Sequence, residues 1–444
     1  MRFYTVCIFT ALLFVSGAGV STAASTQDLE ARVQALADQL EAVKAELAQL
    51  KSQQAAQGQA LAAAGNAPAS AVSSSASAPG VAAATTRASA TYVSTVGGPS
   101  FFGYGELNYS HPTSDSAKAT ADVARFVLGI GYQFDENTRF ASELELEHSV
   151  SSASDPGEVE VEQAYVERRF NDRLFAKVGL FLMPVGMLNE NHEPTRHYGV
   201  FRNSIETAII PTTWREGGVE LFGSTESGLS WNVGVTTGFN LNKWDATATQ
   251  GRESPLGSIH QELALAAAGD LSGFVAINYI GVPGLKVGAS LFNGGASQGQ
   301  STVGRSRVSL WEGHARWTPA QWELSALYAR GRISNTAAIN LLSVGSLAPI
   351  PESFFGWYAE AAYRAIDRGN WSLTPFVRYE RFNTADSFAD LGVGLTPLTP
   401  GDSQVFTGGV NWMIAPGVVI KADYLNFRNR SGDNRYDLGL GYQF

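Results

Sequence analysis

The chain ends YDLGLGYQF, Tyr436 to Phe444, and the reading of that strand decides the fold. Tyr436, Leu438, Leu440, Tyr442 and Phe444 fall on one side of a period-two ribbon, while Asp437, Gly439, Gly441 and Gln443 fall on the other. Most termini bury little and drift into polar residues. This one stops on an aromatic, with one face suited to lipid and the other to water.

The same texture runs back to Phe101. Segments of about ten alternating residues are separated in turn by a very short and then a longer polar connection, and sixteen can be counted. The short connections, DENT at 135, NDR at 171, STESG at 224, PG at 283, TPAQ at 318, DRGN at 367 and APG at 415, are rich in turn-forming residues. Short turns at one end and long loops at the other predict an all-β fold, a 16-stranded antiparallel transmembrane β-barrel. Ten residues at about 3.3 Å, tilted by about 45°, span roughly 23 Å, close to the apolar band such barrels present to lipid. A cylinder of that many strands is roughly 32 Å across, so its lumen holds water or a plug.

The faces agree. Phe126, Leu128, Ile130, Tyr132 and Phe134 point one way, Arg125, Gly129, Gly131 and Gln133 the other. Aromatics gather beside the short turns (Phe134, Phe140, Trp317, Trp322, Trp371), as an interfacial girdle requires. A soluble sandwich also alternates but has no reason to ring one edge with aromatics. The last strand must pair with the first, because an open edge in lipid leaves backbone groups unsatisfied. Tyr442 and Phe444 are then expected to serve also as an assembly signal read by the barrel-assembly machinery. In EVEVEQAYVERRF the parity conflicts, and a bulge is the expected cause.

The N-terminus differs. Arg2, the apolar run Val6–Val15 and the small residues to Ala24 have the layout of a secretory signal peptide, residues 1–24, too short for a helical span. The one cysteine, Cys7, leaves with it, and 30 basic against 41 acidic side chains remain, which argues against nucleic acid as a partner. Leu29, Val33, Leu36, Leu40, Val43, Leu47 and Leu50 form an unbroken heptad seam and predict an N-terminal α-helical coiled coil over 27–54, two- or three-stranded. The alternative is a single amphipathic helix lying on another surface. Residues 55–98 are Ala, Ser, Gly and Thr with one charge, Arg87, and read as a flexible linker ahead of the barrel, 99–444.

The widest connection that looks ordered runs from about 185 to 216 and carries Glu190, His192, Glu193, Arg196, His197, Arg202 and Arg215. A segment of that length without strand pattern is usually functional. Folded inward it presents these charges at a pore constriction; folded outward it is a lid or a trimer contact. Strand parity places Arg125, Lys177, Lys286, Arg316, Arg364, Arg378 and Lys421 in the lumen, with Glu143, Glu145, Glu147, Glu220, Glu312, Glu323, Glu360, Glu380, Asp423 and Asp437. That balance does not make an anion-attracting funnel. Glu360 with Arg364, and Arg378 with Glu380, are expected as ion pairs that brace the wall or screen the pore. Glu143, Glu145 and Glu147 repel one another unless a neighbouring strand supplies arginine. The histidines show no metal spacing, so neither a catalytic site nor a cofactor is expected.

GLFLMPVGMLNENHEP, the later PTTWREGGVELFG, the heptad segment and the terminal GYQF resemble the phosphate-selective porin O and P family over essentially the whole mature chain. The resemblance implies a trimeric sixteen-stranded outer-membrane porin with an inward-folded third loop. Its phosphate channels use a ladder of arginines and a lysine cluster, and that ladder is not evident in these residues. The expected function is passive diffusion of small hydrophilic solutes or ions, among them anions such as phosphate. Outer-membrane lipid and lipopolysaccharide and two further copies of the chain are the expected partners. A rival reading makes the barrel an anchor whose coiled coil ties the membrane to peptidoglycan.

Overall fold

The computed structural model describes residues 96–300 and 304–444. The signal segment, the coiled coil and the linker to residue 95 lie outside the described residues. Sixteen spanning strands follow: β1 Pro99–Pro112, β2 Thr120–Asp135, β3 Thr138–Glu147, β4 Glu158–Asn171, β5 Leu174–Leu182, β6 Arg215–Ser224, β7 Leu229–Thr236 and β8 Ser272–Val282, then β9 Leu285–Gly295, β10 Arg307–Trp317, β11 Trp322–Ile333, β12 Ser353–Tyr363, β13 Ser372–Ser387, β14 Ser403–Ala415, β15 Val418–Phe427 and β16 Arg435–Gln443. A two-residue ladder, Ile366–Asp367, tips the β12–β13 hairpin. Each strand pairs antiparallel with its neighbours, and β1 pairs with β16, so no edge is left open. All seven short turns fall where the turn residues put them.

The closing ladder between β1 and β16 extends to the last residue. Gly103 N–H donates to the Phe444 carbonyl at 3.1 Å and Phe444 N–H returns to Gly103 at 2.9 Å. A Cβ on Gly103 would meet the Phe444 ring at 2.9 Å, and one on Gly105 the Tyr442 hydroxyl at 2.5 Å. The two aromatics thus lie over glycines of β1 on the outer wall.

Burial is inverted relative to a soluble protein. Phe101, Phe134, Leu144, Val178, Trp317 and Leu438 are exposed on the outside, whereas Glu145, Glu220, Glu312, Arg378, Glu380 and Asp437 are buried inside. Glu143 pairs with Gln163 but Leu144 with Val161, so Glu162 is an extra residue. That bulge resolves the parity conflict. Glu160 and Glu162 face inward before it, Tyr165 and Glu167 after it, and Val159, Val161 and Val166 stay outside.

Against β8–β12 the loop end of the lumen is filled by apolar side chains. Phe274, Phe292, Val308, Leu310, Leu327, Ile333 and Phe354 of β8–β12 point inward and pack against Ile205, Ile209, Trp214, Phe239, Leu241, Leu256 and Ile259 from loops 183–214 and 237–271. Trp214, Phe239 and Phe292 meet with ring centroids 4.9 to 5.2 Å apart. Loop 334–352 joins this mass, since Trp244 Nε1–H donates to the Ala348 carbonyl at 2.8 Å.

Candidate functional site

Loop 183–214 leaves the top of β5, crosses the lumen and follows the inner wall. Its two arms are held together by Asn189, whose amide donates to the Met183 and Trp214 carbonyls (2.7 and 2.8 Å) and accepts from Trp214 N–H at 2.7 Å. Glu206, on the helical turn Ile205–Ile209, accepts from the N–H groups of Met187 and Leu188, from Asn203 and from the Tyr358 hydroxyl of β12.

The far arm is docked residue by residue. His192 reaches Glu162 at 2.8 Å and Tyr104 of β1 at 2.6 Å, while its Nδ1 lies 2.9 Å from the Asn189 carbonyl. A carbonyl only accepts, and Tyr104 donates its proton to Glu162, so both ring nitrogens act as donors. Burial opposes the charge, but Glu162 outweighs it and holds the His192 pKa above the ordinary value. Thr195 donates to Gln443 of β16. His197 behaves oppositely: burial first, then Lys421, Arg202 and Arg378, pushes it well below the ordinary value, and it faces Lys421 at 3.3 Å as an acceptor. Lys421 donates to the Gly199 carbonyl at 2.8 Å, and Asp423 accepts from Val200 N–H at 2.6 Å. Arg378 donates to the Tyr198 carbonyl and Glu380 accepts from Ser204 N–H.

The lumen charges form clasps. Arg125 sits between Glu106 at 2.9 Å and Glu145 at 3.2 Å, Arg378 between Glu360 and Glu380 at 3.1 Å each, and Arg215 between Glu160 at 2.5 Å and Glu262 at 2.7 Å. Arg125 is therefore the arginine that the acidic strand β3 requires. Glu143 accepts from Gln163 at 2.7 Å, and Glu147 ends β3 half-buried. Lys177 pairs with Glu220 at 3.0 Å, Arg316 with Glu323 at 3.4 Å, His314 with Glu312 at 2.9 Å and Arg435 with Asp437 at 2.8 Å.

Two expectations are corrected. Arg215 is the first residue of β6, not part of the loop, because its backbone already pairs with Leu182. Arg364 lies past the end of β12, exposed, and pairs with Asp367 in the turn rather than with Glu360; strand parity does not extend into a turn. Arg196 is exposed on the loop and Glu193 half-buried beside it. Arg202 donates to Thr212, Thr213 and the His192 carbonyl. Towards the short turns the lumen holds a cavity of 320 Å³ lined by Arg139, Glu167, Lys177, Glu190, Asn278 and Lys286. There burial, against the pull of Lys177, holds the Glu190 carboxyl up at about 7.

Glu106, Tyr104, Glu162 and Glu206 were missed in the sequence. Glu162 was hidden by the bulge, and Glu206 sits in a loop with no period to follow.

A closed sixteen-stranded barrel with an apolar exterior, a charged interior and a long loop folded inside has the fold of the outer-membrane porins. No family model matches the chain. An uncharacterized protein of Aquifex aeolicus is 28% identical over 358 residues, 78% of this chain and 80% of that protein. Among solved structures the chain is similar to Salmonella typhi OmpF in its complex with daunomycin (TM-score 0.55, 15% identity, 78% of this chain and 97% of that one). It is similar also to an OmpT loop L8 deletion mutant, an outer membrane protein of Vibrio cholerae (TM-score 0.50, 12% identity, 79% and 100%). These likenesses are likenesses of fold.

Proposed function

We propose that the protein is a passive diffusion porin of a Gram-negative outer membrane. One observation carries this reading: the wall is apolar outside and charged inside, and loop 183–214 lies within the lumen, its far arm held to β13 and β15 by polar contacts beside a polar cavity. The loop side chains Glu190, His192, Glu193, Arg196, His197 and Arg202 belong to the constriction, His197 as a neutral acceptor, and Arg125, Glu145, Lys177, Arg378 and Glu380 to the wall around it. The apolar mass under β8–β12 narrows the route further, so small hydrophilic solutes are the cargo. The resemblance to the phosphate-selective porins rests on the motifs quoted above. Arg125, Arg215 and Arg378, each held by two carboxylates, are poorly placed to form a phosphate ladder, and each clasp carries an excess negative charge that favours cations.

In this reading residues 1–24 are removed on export, 27–54 assemble a homotrimer in the periplasm, 55–98 link them to the barrel, and Tyr442 and Phe444 present the chain to the assembly machinery. Swelling of proteoliposomes in sugars of increasing size tests it. Uptake of the smallest sugars and exclusion of larger ones is expected; no swelling in any solute overturns the porin in favour of a peptidoglycan anchor.

A further inference from the structure

The outer wall carries a feature that solute passage does not use. At the loop end of β10–β13, Arg307, Arg330, Arg332 and Arg381 point outward, with Arg305 just beyond. Near the same level β3, β4, β6, β7 and β8 present Leu146, Val159, Val219, Val235 and Val275. Across the β10–β11 pair Ser309 faces Arg332 and Trp311 faces Arg330, and on the next strand Arg332 faces Ser353. These residues, with Glu352, line a polar hollow at the rim. Arg330 is bound to Asp386 at 2.9 Å and Arg332 to Glu352 at 2.5 Å, yet their side chains remain 41% and 64% exposed, and a guanidinium has five N–H groups to offer. The Arg307 guanidinium donates to the neutral Asn293 amide and shares a hollow with Asp270. Arg305 and Arg307 are exposed and have no carboxylate partner among the described residues.

Directly below, towards the membrane centre, the wall is hollowed. Gly313, Ala315, Ala326 and Ala359 form the floor of an apolar trough flanked by Tyr328 and Trp357, and it continues past Ala361 to Val377 and Phe406. Ala326 and Arg330 are four residues apart on one strand, roughly 13 Å. A cationic rim thus sits over an acyl-sized groove, on the long-loop side of the barrel.

Resting on the outer-membrane reading above, we propose that this face binds a phosphorylated glycolipid of the outer leaflet, lipid A in chemistry, with its phosphates on Arg305, Arg307, Arg330 and Arg332 and an acyl chain in the trough. Guanidinium forks match phosphate oxygens, and five arginines against Asp270, Asp386, Glu352 and Asp402 leave the rim positive on a chain whose net charge is −10. Small floor residues let the chain approach the backbone closely, as they do between packed elements in lipid.

The test titrates the full chain in detergent with bisphosphorylated lipid A and reads occupancy by native mass spectrometry. Arg305→Gln with Arg307→Gln leaves no carboxylate unpaired, and affinity is expected to fall roughly tenfold or more, since each arginine beside an anionic lipid is worth about a factor of five. Ala326→Trp, which fills the trough and spares the rim, is expected to weaken binding as well. Unchanged affinity in both variants, or equal binding of the lipid stripped of its phosphates, overturns the proposal. Full competition by inorganic phosphate overturns it in favour of free anion, and a changed oligomeric size in favour of a second copy seated there. Planar-bilayer conductance of the unmodified protein separates the two readings: its absence defeats the porin and leaves the lipid result standing.

Discussion

Glu162 shows how one residue can position a loop inside a barrel. As the bulged residue of β4 it turns its carboxylate onto His192 and Tyr104 at the point where the loop's far arm meets the wall. His192 has its pKa raised, so its contribution is complete below the unfolded value of about 6.5 and disappears as pH rises through the folded value. His197 has its pKa lowered beside Lys421, so its contribution is present above about 6.5 and is lost as pH falls. Protease sensitivity of loop 183–214 is therefore expected to pass through a minimum as pH is varied. His192→Phe abolishes the alkaline limb and His197→Phe the acid limb; a wild-type profile flat in pH contradicts both assignments. At the seam, Gly103→Val sets a Cβ 2.5 Å from the Val127 carbonyl and 2.9 Å from the Phe444 ring. The variant is expected to fail to close, read as loss of the heat-modifiable band on a gel. The aromatic terminus was legible in the sequence because alternation exposes it; its glycine partners, some 340 residues away, were not.

At the scale of elements, the strands and short turns were legible because period two and turn chemistry are local. The lumen was read less well. Parity names which residues face inward but not whether they meet water, and β8–β12 turn Phe274, Phe292, Leu310, Leu327 and Phe354 inward at the loop end. The signal was present in runs such as FVAI at 274, apolar on both faces as in strands covered on both sides. What covers them, loops 183–214 and 237–271, has no period and was legible only by length. Trp214→Ala is expected to cost about 3 to 5 kcal/mol, the usual price of emptying a buried aromatic site, measured as a lower unfolding midpoint in detergent. Glu206→Ala strips the Met187 and Leu188 N–H groups of their acceptor. Their amide exchange is expected to quicken about a hundredfold, the equivalent of about 3 kcal/mol for a buried charged acceptor; unchanged exchange shows that the arms are held by other contacts.

Over the whole molecule the apolar outer belt and the clasped lumen charges fit the proposed conduit, its width set by loops. In the proposed assembly, deleting 27–54 is expected to preserve conductance while abolishing the trimer, as seen by native mass spectrometry; loss of conductance with a trimer intact contradicts that division of labour. The most direct test of the account is a planar bilayer holding the purified full chain under a potassium chloride gradient. Discrete conductance steps are predicted, with a reversal potential displaced towards the potassium equilibrium potential, because each clasped arginine is outnumbered by its carboxylates. Displacement towards chloride would show that Arg196 and Arg202 of the loop govern passage and would restore phosphate as cargo, and a silent bilayer would contradict the channel itself.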